Sequence, residues 1–433
     1  MKQRTMGWIT VFLLFLVYGI NYLDRVALSI TAPLVQKDLG IDAAQMGIVF
    51  SSFFVGYALF NFVGGLASDK LGPKIVYVLA VGLWSIFCGL TAVAVGFASL
   101  LVLRVLFGMA EGPLCAGANK MVNNWMPRDI AATSMGLLSA GSPLGGAIAG
   151  PVIGLLAISF GWRPAFWIIC AIGLVWCVAW MLLTANRPSE SRFVSTLDEA
   201  EPARRGQGVA HASRAVPDSA ASLPLSAWLR QPLVIATAVA FFAYNYVLFF
   251  FLSWFPSYLV QAHHLNIREM SLATVVPWLV GTVGLAAGGA ISDAIFRWTG
   301  KLMLSRKLVL STCLAATGVC VGVAGLVHTA VAAIALMSIA LFLLYATGAL
   351  YWAIVQDVVH SARVGSVSGC MHCVGSLSGV IGPAVTGLLV ERSGSFATAF
   401  VLAGAVALTG AALSAIFIRD ARKSAPLTDE AYS

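Results

Sequence analysis

The chain has 433 residues, 59% of them hydrophobic and only 10% charged, with a formal net charge of +8. An ordinary soluble domain carries roughly a quarter charged residues, so the composition excludes a soluble protein. Apolar runs recur that are long enough to cross a hydrocarbon layer of about 30 Å as helices.

The first run spans residues 8 to 34. It follows the basic start MKQR and so imitates a secretion signal, but no small-residue cleavage site follows, and an uncleaved first span is expected. Spans two and three, 45 to 67 and 75 to 96, flank the stretch GGLASDKLGPK. The fourth, 98 to 121, contains Arg104 and Glu111; the fifth, 131 to 158, and the sixth, 164 to 185, complete one half. Residues 186 to 230 are rich in Pro, Ser, Ala and charge, which suits a flexible cytoplasmic linker. Six further runs follow, at 232 to 260, 270 to 296, 307 to 327, 330 to 356, 364 to 391 and 396 to 418. The expected fold is an all-α polytopic membrane protein of twelve transmembrane helices. Its parts are an N-terminal six-helix half (1 to 185), the linker (186 to 230), a C-terminal six-helix half (231 to 418) and a cytoplasmic tail (419 to 433).

Of the 26 Lys and Arg residues, 20 fall in segments on the side of both termini and 4 on the other side, with Arg25 and Arg104 inside spans. By the positive-inside rule both termini are expected in the cytoplasm. The basicity is then a topological signal and not a sign of nucleic acid. The eight cysteines, Cys370 and Cys373 included, show no metal-ligand spacing, so neither a disulfide framework nor a metal site is expected.

The chain also repeats itself. Asn21 and Tyr22 match Asn245 and Tyr246 at an offset of 224, and GGLASD (64 to 69) matches GGAISD (288 to 293) at the same offset. A third echo, GPVIGLL from 150 against GPAVTGLL from 382, needs a small insertion. Two parallel six-helix repeats are related by an axis along the membrane normal, an arrangement recurrent in transporters, with the substrate site between the halves near the midplane.

Four ionisable residues stand well inside spans: Asp24 and Arg25 in the first, Arg104 and Glu111 in the fourth. Burying one at the bilayer centre costs from about 2.5 to more than 10 kcal/mol. The four sum to zero charge, which points to pairing. A salt-bridge network that only holds helices together is the plainer reading, but buried ion pairs are weak sources of stability. Intramembrane ionisable groups, by contrast, mark transport pathways by default. Arg104 and Glu111 are seven residues apart, about 700° of helix rotation and about 10 Å along the axis, so they share a face without neutralising each other. Counting rise places Asp24 near Arg104 and leaves Glu111 to Arg25 or to a proton. The second half has no such charge deep in a span. Its candidate polar contacts are Tyr244, Asn245, Tyr246, Tyr351, Trp352, His372 and Ser376, for which core packing is the plainer reading.

GGLASDKLGPK resembles the signature between the second and third helices of the major facilitator superfamily. Gly65, Asp69, Lys70, Gly72 and Lys74 carry the likeness, which implies a latch on the cytoplasmic helix ends in the outward-facing state. The second copy keeps Asp293 but has Ala294 where a base would stand, so its latch is expected to be weaker. NYLDR, RVLFGMAEGP (104 to 113), NYVLFFFLSWFPSYL (245 to 259) and the Gly-rich eleventh span together resemble the anion:cation symporter family within that superfamily. The likeness extends over nearly the whole chain outside the linker and tail.

This resemblance implies a proton-coupled symporter of the inner membrane that imports an organic carboxylate by rocker-switch alternating access. A sugar acid (hexuronate, aldonate or aldarate) comes first, with an aromatic or small dicarboxylate such as phthalate or tartrate as the alternative. Asp24 and Glu111 would carry protons, Arg104 would couple them, and Arg25 would hold the substrate carboxylate. Tyr22, Tyr57, Asn245, Tyr246, Trp352, His372, Ser142 and Ser376 would line the pocket. Protons are the coupling ion, no cofactor or metal is implied, and the partners are the organic anion and the bilayer around a monomer. Physical chemistry supports these roles: a guanidinium presents paired donors that match a carboxylate, and a substrate that captures Arg25 leaves Glu111 to a proton, which links the two binding events. Ser142 and His372 stand where some members have amides, and Ala349 and Tyr351 make the tenth span more apolar, which keeps a less hydroxylated acid in view. A membrane enzyme lacks any clustered nucleophile and base or HExxH-type site here, an uncoupled facilitator or channel would ignore a proton gradient, and a multidrug antiporter has no use for an arginine beside the first acid.

Overall fold

The computed structural model describes residues 3–194 and 224–418. Positions 195–223 of the expected linker, the tail from 419, and the side chains of the expected latch residues Gly65 and Asp69 lie outside the described set. The first half comprises α1 (Gln3–Leu39), α2 (Ala43–Leu71), α3 (Pro73–Leu90), α4 (Phe97–Glu111), α5 (Leu114–Trp125), α6 (Arg128–Ser139), α7 (Gly141–Phe160) and α8 (Trp162–Leu183). The second comprises α9 (Leu225–Leu229), α10 (Pro232–Gln261), α11 (Ile267–Ala273), α12 (Val275–Thr299), α13 (Leu302–Ala324), α14 (Ala330–Thr347), α15 (Leu350–Val358), α16 (Ser361–Ser393) and α17 (Ala397–Phe417).

Among the described residues, 11 continuous elements are long and apolar enough to cross a membrane, one fewer than hydropathy alone suggests. The remaining crossing is the one expected at 98 to 121. It is kinked: α4 ends at Glu111, and α5 starts after Gly112 and Pro113. A proline has no N–H for the carbonyl four residues back and crowds it sterically. Both turn residues keep helical backbone angles, so α4 and α5 continue in one direction. In the second half Gly348 separates α14 from α15 at the corresponding place.

Local signals set the helix ends. Asp42 starts α2 with a reciprocal cap, accepting from the Gln45 amide at 2.7 Å while Gln45 accepts from the Asp42 amide at 3.3 Å. Between α2 and α3 the backbone reverses at Gly72, whose φ of 82° lies in the region glycine favours. Asn186 packs against this glycine and accepts from the Lys74 amide at 2.9 Å, while its own carbonyl accepts from Asn124 at 2.9 Å. The segment expected to be a flexible linker from 186 therefore begins as a docked strap, and near its other end Trp228 of α9 is buried.

The halves meet most closely at the distal end, opposite residues 3, 194, 224 and 418. Here α2 runs against α16, and α7 against α11 and α12. The helices approach through small residues: a Cβ on Gly47 of α2 would lie 2.5 Å from the carbonyl oxygen of Pro383, and Gly150 and Gly154 of α7 sit against Ser271 of α11. The third sequence echo thus has a structural meaning. Each half presents its Gly-Pro stretch to the opposite half, through Gly150 and Gly154 in one and through the Pro383 carbonyl and Gly387 in the other, while Gly382 itself lies against Tyr246 of its own half. Toward the proximal end Gly136, Gly289 and Gly369 face open space.

Candidate functional site

The charged centre lies where α1 and α4 approach one another. Arg25 and Glu111 form an ion pair at 2.5 Å, with the glutamate side chain fully buried. Three rings frame the guanidinium: Phe53 at 4.8 Å, Tyr57 at 5.2 Å and Tyr22 at 5.5 Å from Cζ to ring centroid. Such faces attract a cation, by about 2 kcal/mol when the site is desolvated. They hold Arg25 in place at the wall of the cleft between the halves, with its Nη2 on Glu111. The Nε of Arg25 and Oε1 of Glu111 have no hydrogen-bond partner in the protein, and buried groups in that state readily bind a ligand or water.

Asp24 lies near enough to Arg104 for the two charges to interact, but its direct partner is another residue. No ion pair within 4 Å joins it to Arg104 among the described residues. Its Oδ2 accepts from the indole N–H of Trp84 on α3 at 2.9 Å. Trp84 is fully buried, and sequence reasoning passed over it because a single aromatic in a span reads as packing. Arg104 is 5% exposed, its Cζ lies 5.2 Å from the Phe107 ring, and its Nε is unpartnered.

Arg25 and Arg104 both line one cleft between the halves, with Ser29, Phe50, Phe53 and Phe54 on one side and Leu252 and Ser253 of α10 on the other. Phe54 crosses it to meet Phe249 in a tilted ring contact at 4.2 Å. The phenylalanines and serines of this lining were not singled out from sequence. Their i, i+3, i+4 spacing along α2 is the only signal that the sequence offered.

The second half supplies a cluster of rings. Phe241 of α10 touches Trp352 (5.2 Å), Tyr351 (5.2 Å) and His372 (6.4 Å), and Trp352 lies 6.2 Å from His372. Asn245 donates to the carbonyl of Phe241 at 2.8 Å, one turn back, and lies against Gly375 of α16. Ser376 donates to the carbonyl of His372 at 2.9 Å, so its hydroxyl proton is engaged within its own helix. Tyr22 reaches across to Trp278 of α12 in an edge contact at 5.8 Å. Tyr22, Tyr57, Ser142, Asn245, Trp352 and His372 are all only half-buried, although the first two, Asn245 and His372 lie well inside their helices and Ser142 and Trp352 lie just past the breaks that open α7 and α15, as side chains around an internal cavity would be.

Tyr246 departs from this group. It is buried, packs over Gly382 of α16 and lies 6.2 Å from Phe242. The repeat pairing it with Tyr22 preserves a position and not a role, because residues 245 and 246 point about 100° apart on a helix and only one faces the cavity. At the proximal end, Lys74 and Lys70 flank the Gly72 turn. In the second half Arg306 pairs with Asp357, joining α13 to α15. No group of three or more metal-ligating side chains occurs among the described residues.

Comparison with known proteins places this geometry in context. A family model described as Major Facilitator Superfamily matches residues 14–383. The chain is 48% identical over 408 residues to a hexuronate transporter of Bacillus subtilis (strain 168), covering 94% of this chain and 93% of that protein. It is 32% identical over 420 residues to a probable galactarate/D-glucarate transporter of the same organism, covering 94% and 90%. Among solved structures it resembles a bacterial homolog of the human lysosomal transporter Spinster in an inward-facing and occupied conformation. There the TM-score is 0.75 at 18% identity, covering 94% of this chain and 95% of the other, a likeness of fold alone.

Proposed function

The chain belongs to the major facilitator superfamily, a polytopic membrane transporter and not an enzyme, and we propose that it imports a sugar acid, hexuronate first, in symport with protons across the inner membrane. The observation that carries this reading is the Arg25–Glu111 pair: a guanidinium framed by three rings, facing the inter-half cleft, whose counter-ion is a fully buried glutamate. A substrate carboxylate competes with Glu111 for Arg25. The displaced glutamate, in low dielectric without its cation, takes a proton. Anion and proton then bind and leave together. Asp24 provides a second protonatable group and Arg104 mediates between the acids. The basic residues on the proximal side support a cytoplasmic location for that side and for both termini. The halves rock about the site, and the distally closed form described here is the inward-facing member of the cycle.

A second reading has its own support. Arg104 lines the same cleft as Arg25 among three phenylalanines, an arrangement suited to a dicarboxylate or an aromatic acid such as phthalate. Uptake into proteoliposomes separates the readings, using a hexuronate, an aldonate, an aldarate and phthalate with and without an inward proton gradient. Accumulation of the hexuronate only when the gradient is present is expected. Equal uptake without the gradient would establish an uncoupled facilitator, and preference for phthalate would favour the second reading.

A further inference from the structure

Both distal seals set the Gly-Pro stretch of one half against the other half, yet only at the α2–α16 seal does a carboxylate bond across the halves among the described residues. Glu391, in the last turn of α16, accepts the N–H of Ala43 at 3.1 Å. Ala43 is the first residue of α2, so its amide is one of those at a helix start with no acceptor inside the helix. The helix runs for 29 residues, and its start carries the positive end of the helix dipole. Asp42, the helix's own cap, is already committed to the Gln45 amide. The acceptor for Ala43 therefore comes from the opposite half. One turn below, Gly47 lies against the Pro383 carbonyl, and below that Ser51 Oγ accepts the Ala384 amide at 2.9 Å. On the neighbouring helices Gln261 donates to Gln36 at 3.4 Å.

We propose that Glu391 is the outer clasp of the transport cycle: a positioning residue, remote from Arg25, that holds the halves together at the distal end and so sets the balance between inward- and outward-facing states. The proposal rests on the alternating-access reading above. Outward opening must part Glu391 from Ala43, and it then leaves the first amide of α2 to water. Losing the carboxylate favours the open form, and so does losing the amide. The glycine contact beneath sets how near the two backbones come.

Pulsed electron-spin distance measurements test this on the full-length protein in liposomes, with spin labels carried by unnatural ketone residues at the exposed positions Lys37 and Arg268, one in each half. Glu391→Ala, which leaves the Ala43 amide without its acceptor, is expected to raise the population with distally separated halves at least threefold. Ala43→Pro deletes the amide at the one helix position where proline is well accepted. It should produce the same shift, and the double variant should add nothing to either, the signature of a single shared interaction. Gly47→Ala should deplete the closed population at least tenfold. A distance distribution in Glu391→Ala superimposable on the wild type, or additive shifts in the double variant, would overturn the proposal. Because the readout is a distance and not uptake, failure of the sugar-acid reading leaves the test intact.

Discussion

The indole N–H of Trp84 donates to Asp24 at 2.9 Å, so the acid of the first membrane helix leans directly on an aromatic of the third, while Arg104 acts on it from beyond ion-pair distance. Trp84→Phe keeps most of the volume and leaves a buried carboxylate oxygen without its donor, at a cost of about 1–3 kcal/mol. Thermal denaturation in detergent should show the loss. Asp24→Asn retains an acceptor for Trp84, so it should melt close to the wild type while gradient-driven accumulation is abolished and counterflow exchange survives in part.

The Arg25–Glu111 pair makes a prediction of opposite character. Arg25→Ala strands a buried glutamate and should cost about 3–5 kcal/mol of stability. Adding Glu111→Gln should return most of that stability and none of the uptake. If the double variant transports, Arg25 does not hold the anion. Arg25→Lys keeps the charge but not the paired donors, and uptake should fall at least tenfold.

Asn186 and Gly72 form a structural contact far from the charges. A Cβ at Gly72 would strain the backbone and meet the Asn186 amide at 2.7 Å, so Gly72→Ala should destabilise by about 1–3 kcal/mol. Asn186→Ala removes the acceptor for Lys74 N–H, with an expected loss of about 0.5–2 kcal/mol, as for a helix cap. Melting curves of the two variants check both, and substrate affinity should be unaffected by either.

Side chains on adjacent helical positions should separate cleanly in transport assays. Tyr246→Phe, in the α10–α16 packing, removes a buried hydroxyl that meets Thr386 away from the cavity, and should leave uptake within about twofold of the wild type. His372→Asn and Trp352→Phe change the wall of the cavity and should shift KM by at least threefold. Equal effects from all three would remove the distinction between packing and pocket.

His263 lies outside the spans, its Nε2 2.8 Å from the Tyr258 hydroxyl. Partial burial, with a smaller contribution from the neighbouring His264, holds its pKa below the ordinary histidine value. The folded protein therefore favours the neutral ring. The stability this contributes is present above about pH 6.5, the unfolded value, and is lost as pH falls through the lower folded value. Melting temperature followed from pH 7.5 to 5 should decline less in His263→Phe than in the wild type.

Hydropathy located the crossings because a bilayer demands long apolar helices, and it missed the kink after Glu111 because Gly112 and Pro113 barely lower the average. Charge balance anticipated that Glu111 would meet Arg25, a pairing set by two helices and their pitch. The partner of Asp24 was not legible: an indole donor differs from a packed indole only in three dimensions. The repeat search found the Gly-Pro echo without its purpose, since the need for glycine arises from a backbone on the other half. Tyr246 shows the converse, a matched letter whose neighbour at the next position takes the role.

The two Gly-Pro seals are alike in both halves, whereas all four deep charges sit on α1 and α4. The molecule is thus a twofold frame carrying a one-sided engine. A hybrid that joins the first half of this chain to the second half of a relative with another cargo should inherit its driving force from one parent and its selectivity largely from the other.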